Sequence, residues 1–264
     1  MLGLELRQRS QSSPVVAGPA LLNSGTYALR LATSDQDRRA AYRLRFLVFN
    51  LELNEGLQSA YRDGLDTDEF DAVCDHLLVE HVPSGAVIGT YRLQTGDRAA
   101  MNRGYYSARE FDFTPYEPLR SRLVELGRAC VHAEHRSYEV LMLLWRGIAL
   151  YAAQRGARYL VGCSSLTSQD TDLGSAMYHR LSEYLVTPEL RTNPVPPYGF
   201  TVQAAGPQRP NPPKLLRAYL SVGAQICGAP AIDREFGTID FLTFMDLDKL
   251  PAPMRTRLFR REQR

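Results

Sequence analysis

The order of elements along the 264 residues predicts a mixed α/β fold, a central sheet with helices on its faces. Three observations carry that expectation. Strand-like stretches and helical stripes alternate along the chain, the pattern of layers packed against one sheet. Pro83-Ser84-Gly85 joins two strand-like stretches as a hairpin. No segment repeats, which excludes a solenoid.

The elements follow in order. Tyr27 to Ala32 reads as a short strand, and Ser34 then caps a helix with acidic residues in its first turn. Ala41, Leu44, Val48 and Leu51 fall on one face of that helix, with Tyr42, Arg45, Phe49 and Glu52 on a neighbouring stripe. Near Gly56 the helix gives way to the acidic run RDGLDTDEFDAVCD. Strands at 75–82 and 86–95 form the hairpin, and a third strand is expected at 122–131. The apolar helix YEVLMLLWRGIALYAAQRG ends at Gly156, a good C-terminal cap. A continuous apolar strand, ARYLVGCSSL, comes next, then a weaker helix around 176–184. The proline-dense stretch 187–213 reads as an excursion within the domain. A short helix (KLLRAYLSVGA) and a last strand near 239–245 close the fold. The expected organisation is a flexible arm at 1–25, one domain at 26–250 and a basic tail at 251–264.

Composition narrows the class. At 44% hydrophobic and 23% charged residues the chain is ordinary for a globular protein, and no apolar run reaches the roughly 18 residues of a membrane span. The start lacks the pattern of a secretory signal, and the four scattered cysteines suit a reducing compartment; a cytoplasmic enzyme is expected. A net charge of +2 gives no reason to expect nucleic acid. The tail PAPMRTRLFRREQR carries Met254, Leu258 and Phe259 among its arginines. It suits peripheral contact with anionic membrane or with an acidic carrier protein, or a solvated terminus.

Four groups of residues bear on chemistry. Glu125 and Arg128 lie in the expected central strand, where buried charges must be paired or used. Gly127 between them marks a bulge that re-aims one side chain and frees a backbone N–H for a thioester oxyanion. A structural Glu–Arg pair accounts for the same residues. Arg45 and Phe49, the acids Asp66, Asp68, Glu69 and Asp71, and Arg92 suit an amino-acid pocket, while a solvated acidic loop is the simpler account of the aspartates. Ser164 and Ser165 end a strand without a nucleophile elbow and are read as groove-lining hydroxyls. His132 and His135 lack metalloprotease spacing and a third ligand, so no metal is expected. Leu141, Leu143, Leu144, Trp145 and Ile148 suit helix core and an acyl-chain wall alike.

Together these pieces resemble a known family. YRLRFLVF (42–49), Asp68 and Asp71 in DEFD, Arg92 in TYRL and ELGR (125–128) occur in the order seen in N-acyl homoserine lactone synthases. ELGRACV, the CSSL strand end and above all PPKLLRAYLSVGAQICGAPAIDREFGTIDFLTFMDLDKL resemble the bacterial ornithine-lipid N-acyltransferases, a hemolysin-like branch; the likeness spans about 27–250.

That resemblance implies a GNAT-like fold with a mixed, mostly antiparallel central sheet. It also implies an acyl carrier protein thioester as donor, its acyl-phosphopantetheine being a substrate rather than a resident cofactor, and an amino acid's α-amine as acceptor, ornithine foremost. It carries Glu125 over as general base, Arg128 as the residue that orders that carboxylate or the substrate, and Arg45, Phe49, Asp68, Asp71 and Arg92 as the acceptor pocket. The residues support the donor separately. HAEHRSYEVL has no glycine where acetyl-CoA enzymes hold a pyrophosphate, and Arg136 and Arg146 suit the acidic face of a carrier. ELNEGLQSAY lacks the tryptophan that lactone synthases carry, which disfavours a signal synthase. Other N-acyl amino acids remain as alternatives, as does a non-enzymatic acyl-binding or membrane-active protein.

Overall fold

The protein is described over residues 20–259 by a computed structural model. Nine strands form one sheet: β1 (Leu22–Asn23), β2 (Tyr27–Leu31), β3 (Asp75–His81), β4 (Ala86–Thr95), β5 (Leu123–Val131), β6 (Tyr159–Leu166), β7 (Gln225–Ile226), β8 (Ala231–Asp233) and β9 (Thr238–Asp246). Among the described residues six α-helices accompany them: α1 (Asp35–Arg45), α2 (Gly96–Met101), α3 (Tyr138–Gln154), α4 (Thr171–Arg180), α5 (Lys214–Ser221) and α6 (Ala252–Phe259). The sheet order is β1-β2-β3-β4-β5-β6-β9-β7, with β8 also on β9. Every pairing is antiparallel except β5–β6. The expected class is therefore found.

The local devices follow from the residues. Ser34 and Asp37 form a reciprocal capping box at the start of α1. Immediately after α1 the chain widens into a π-helical stretch, Phe46–Glu52. The extra residue per turn rotates the stripe, so Val48 and Phe49 are buried while Leu51, expected on the core face, is exposed. Helix α3 starts at the Ser137 cap, and Gly156 follows its end at positive φ, as expected. Its Leu143, Leu144, Trp145 and Ile148 join the main core between α3 and the sheet, with Trp145 stacked on Tyr219. Those residues are core.

Three boundaries differ from the sequence reading. Leu22–Asn23, inside the expected arm, pairs with β2 because Leu22 packs into the main core; residues 1–19 lie outside the described range. The tail is helical from Ala252 to Phe259, packs against α3 and buries Leu258. Helix α4 begins at the Asp170 cap, five residues before the expected start at 176, since the Asp170 carboxylate accepts from Asp172 and Leu173 N–H. The excursion at 187–213 is tied to the fold by bridges Phe111–Pro194 and Thr192–Gly228.

The parting of β5 and β6 positions the site. Their pairing runs only from Leu123–Glu125 to Tyr159–Val161, after which the strands diverge. Gly162 stands at the fork: a Cβ there would sit 2.2 Å from the Leu126 carbonyl oxygen, so only glycine admits so close an approach.

Candidate active site

The bulge expected in β5 is present, one residue later than expected. Arg92 pairs with Gly127 but Thr90 with Cys130, which leaves Arg128 and Ala129 opposite Tyr91. The strained residue is Arg128, at φ +50°, not the flexible Gly127. A non-glycine residue in this region costs on the order of 1 kcal/mol, so the conformation must be held by its contacts. The bulge turns Arg128 to the sheet face that already carries Glu125 and Arg92.

On that face the arginines and aspartates form one closed array. Arg45 is fully buried and grips Asp71 with both terminal nitrogens, Nη1–Oδ1 2.8 Å and Nη2–Oδ2 2.7 Å, while its Nε donates to Asp66 at 2.9 Å. Arg92 Nη1 donates to Asp68 (2.6 Å) and Asp71 (3.2 Å). Arg128 Nη2 donates to Asp68 (2.8 Å), and its Nη1 lies 3.4 Å from Asp66. Three guanidinium groups thus meet three carboxylates, all nearly dry. Burial alone would favour a neutral Asp71, yet the Arg45 charge holds its carboxyl well below the ordinary range. The solvated-loop reading of the aspartates is therefore overturned for Asp66, Asp68 and Asp71. The array also leaves surplus donors: Arg92 Nη2 and Arg128 Nε are buried without a partner.

Aromatic rings hold the array. Tyr106 lies under three guanidinium groups, at 5.0 Å from Arg92, 5.4 Å from Arg128 and 5.7 Å from Arg109. Arg128 also stands 4.4 Å from the Phe236 ring, which meets Phe49 edge-on at 5.6 Å. Phe49 reaches the site through Phe236.

Glu125 does not pair with Arg128. Its Oε2 accepts from Tyr106 N–H (2.9 Å) and its Oε1 from Ser107 N–H (2.8 Å), which clamps that segment to β5. Burial raises its pKa, and the two backbone donors offset part of that rise. Neither a Glu–Arg staple nor an Arg128 that orders Glu125 is found.

The remaining expected residues are spread out. Ser164 is buried with its Oγ unpartnered, and Ser165 on the opposite face is exposed. Arg136 is engaged by Glu52 and donates to the Val131 carbonyl at 3.0 Å. Arg146 lies half-buried on α3. His135 meets the Tyr27 hydroxyl at 3.1 Å. Sequence reasoning missed Tyr106, Phe236 and a second acidic group, Glu110 with Asp240, near Cys163.

The chain is similar to known proteins in sequence and in fold. Residues 44–146 match the acetyltransferase (GNAT) domain. The chain is 32% identical over 245 residues to L-ornithine N(alpha)-acyltransferase of Rhodobacter capsulatus, covering 87% of this chain and 93% of that one. It is 30% identical over 283 residues to the Brucella abortus enzyme of the same name, covering 96% and 95%. In fold it is similar to the crystal structure of TofI in a ternary complex with an inhibitor and MTA. The TM-score is 0.52 at 16% identity, over 87% of this chain and 95% of that one.

Proposed function

The chain belongs to the L-ornithine N(alpha)-acyltransferase family, and on that premise we propose that it moves a fatty acyl group from an acyl carrier protein thioester to the α-amine of ornithine. It is an acyltransferase; the donor and the acceptor are the proposal. The observation that carries it is the bulged, parted β5 beside an arginine array with two surplus N–H donors. Arg92 and Arg128 receive the acceptor carboxylate there, since a guanidinium N–H left dry and unpaired is costly until an anion meets it.

The attacking amine must be neutral. Glu125 takes its proton through water, because both carboxylate oxygens already accept a backbone N–H and each keeps a second lone pair. The acyl arm enters where β5 and β6 part, and the bulge at Arg128 turns a backbone N–H toward the thioester oxygen as charge develops on it. Proton loss from the ammonium to Glu125, attack on the thioester carbon and departure of the phosphopantetheine thiolate form the amide, and the nitrogen's remaining excess proton passes to the thiolate, which leaves as free thiol.

The carrier as donor is supported by the segment before α3. Residues 132–137 hold no glycine, and the helix start is already capped by the Ser137 hydroxyl, which leaves no glycine cradle for a pyrophosphate. Arg136 and Arg146 lie on this side, though Arg136 meets a carrier only by exchanging its Glu52 pair. Among the described residues no helix is long and apolar enough to cross a membrane.

The test incubates purified protein with 3-hydroxyacyl carrier protein, or the matching acyl-CoA, and a panel of amino acids while free thiol is measured. Release with ornithine and the carrier is expected. Equal rates with acyl-CoA would remove the carrier, and no release with any amine would remove the acceptor reading.

A further inference from the structure

A second set of buried acids on the same sheet face is left unused by the chemistry above. Glu110 follows the short turn Ser107–Arg109, Asp240 lies on β9 and Cys163 on β6, and their ligand atoms all lie within 4.8 Å of one another. The β8–β9–β6 register puts Asp233, Thr238, Asp240, Cys163 and Ser165 on one face. Asp233 is occupied, its Oδ1 accepting from Glu235 and Phe236 N–H. Glu110 and Asp240 are only 2% and 4% exposed, and among the described residues neither forms a salt bridge. Asp240 Oδ1 and Thr238 Oγ1 are buried without a hydrogen-bond partner.

This is the opposite of the neighbouring array, where each aspartate has an arginine. Two dry carboxylates without a counter-cation are expensive. Burial and then the mutual charge of Asp240 and Asp233 push Glu110 well above its ordinary value. The pair lies beyond the point where β5 and β6 part, and Ser165, the register partner of Asp240, is exposed, so open surface is one residue away. Tyr106 links the two groups: its ring lies under Arg92 and Arg128, and Glu110 and Asp233 act electrostatically on its hydroxyl.

We propose that Glu110 and Asp240 form the subsite for the side-chain ammonium of a diamino-acid acceptor, on the same sheet face as the Arg92 and Arg128 donors that take its carboxylate. The proposal rests on the reading that the acceptor is an amino acid. A side-chain ammonium with a pKa near 10 stays charged at neutral pH and cannot enter a dry cleft without a counter-charge. With a neutral side chain Glu110 stays protonated and shares its proton with Asp240, whereas an ammonium lets both acids ionise, so the pair selects for the second amine as well as tolerating it. Cys163, whose thiol burial keeps protonated, lines the subsite as a neutral neighbour.

The experiment titrates wild type, Glu110→Gln and Asp240→Asn calorimetrically with L-ornithine and with L-norvaline, the same chain without the terminal amine; thiol release is followed in parallel. Wild type is expected to bind ornithine about 100-fold more tightly than norvaline, with both variants collapsing that ratio towards one, chiefly by weakening ornithine. An ornithine preference that survives both substitutions overturns the proposal while leaving acyl transfer intact. Stoichiometric zinc binding lost in Cys163→Ser and Glu110→Gln overturns it too, in favour of a metal site. Absence of thiol release with every amino acid removes the acceptor reading and this proposal together. Should a neutral variant unfold, Glu110→Asp keeps the charge and shortens its reach, and a raised KM for ornithine with kcat retained is the expected result; unchanged kinetics count against the subsite.

Discussion

Arg128 reaches Asp68 from a strained strand position, its Nη2 2.8 Å from Oδ2 of a carboxylate whose Oδ1 is held by Arg92 at 2.6 Å. One aspartate therefore fixes both arginines that carry surplus donors. Asp68→Asn is expected to lower kcat/KM for ornithine on the order of 100-fold, through freed and misplaced guanidinium groups. Arg128→Lys should fare no better than Arg128→Gln, since a point charge cannot span Asp66 and Asp68 and lie over Phe236 as a planar fork does. Steady-state kinetics checks both; an active lysine variant would mean that charge alone suffices.

Glu125 is both clamp and proposed proton acceptor, and the two roles separate experimentally. Glu125→Gln keeps one acceptor oxygen and places an amide N–H₂ against the other backbone donor. A stability loss of about 1–3 kcal/mol is expected, read by urea denaturation. If Glu125 also takes the proton, the variant loses the acidic limb of the pH–rate profile as well as kcat. A variant that is merely less stable, with its pH profile unchanged, would leave Glu125 as a positioning residue.

Gly162→Ala tests the fork of the sheet. The new Cβ would meet the Leu126 carbonyl at 2.2 Å, which is backbone and cannot swing aside. Strands β5 and β6 must move apart at the point where the acyl arm is proposed to enter. A cost of about 1–3 kcal/mol is expected in denaturant titration, together with a raised KM for the acyl donor. Wild-type stability would show that the strands yield without strain.

His76 contributes to the acid side of the stability profile. This ring is buried on β3 under the array, with Nδ1 unpartnered, and burial lowers its pKa to about 4, against the pull of Asp71. In the unfolded chain the same ring titrates near 6.5. Between these values the unfolded state binds the extra proton, so stability rises with pH. It is complete above about 6.5 and is lost as pH falls towards 4, by up to about 3 kcal/mol from this group. His76→Leu should flatten that window in denaturation midpoints taken from pH 4 to 7. An unchanged slope would assign the acid sensitivity elsewhere.

Much of this was legible in the sequence because the signals are local. The Ser34 cap, the hairpin at Pro83-Ser84-Gly85, the α3 stripe and the charges at 125 and 128 each declare themselves within a few residues. The bulge was legible too, but not its residue: glycine at 127 is the natural choice for strain, and only the contacts of Arg128 with Asp66, Asp68 and Phe236 make a non-glycine residue take it. Leu51 left the core face because one π-helical turn breaks a 3.6-residue period that composition cannot reveal. Glu110 and Asp240 meet only because β9 inserts beside β6, a long-range pairing with no local signature.

The C-terminal segment separates packing from charge. Helix α6 lies against α3 with Leu258 buried, and Arg257 donates to the Tyr138 hydroxyl at 2.9 Å, so deleting residues 252–264 would remove part of the core along with the arginines. Arg260, Arg261 and Arg264 lie outside the described residues, and neutralising them to glutamine removes their charge without substituting any residue of α6. Each arginine near an anionic bilayer contributes about 1 kcal/mol. The triple variant is therefore expected to sediment far less with vesicles containing phosphatidylglycerol, while thiol release in solution is unchanged. Sedimentation equal to wild type would end the membrane reading of this tail. A fall in turnover without any change in sedimentation would instead assign these arginines to the carrier protein, whose surface offers the same negative charge.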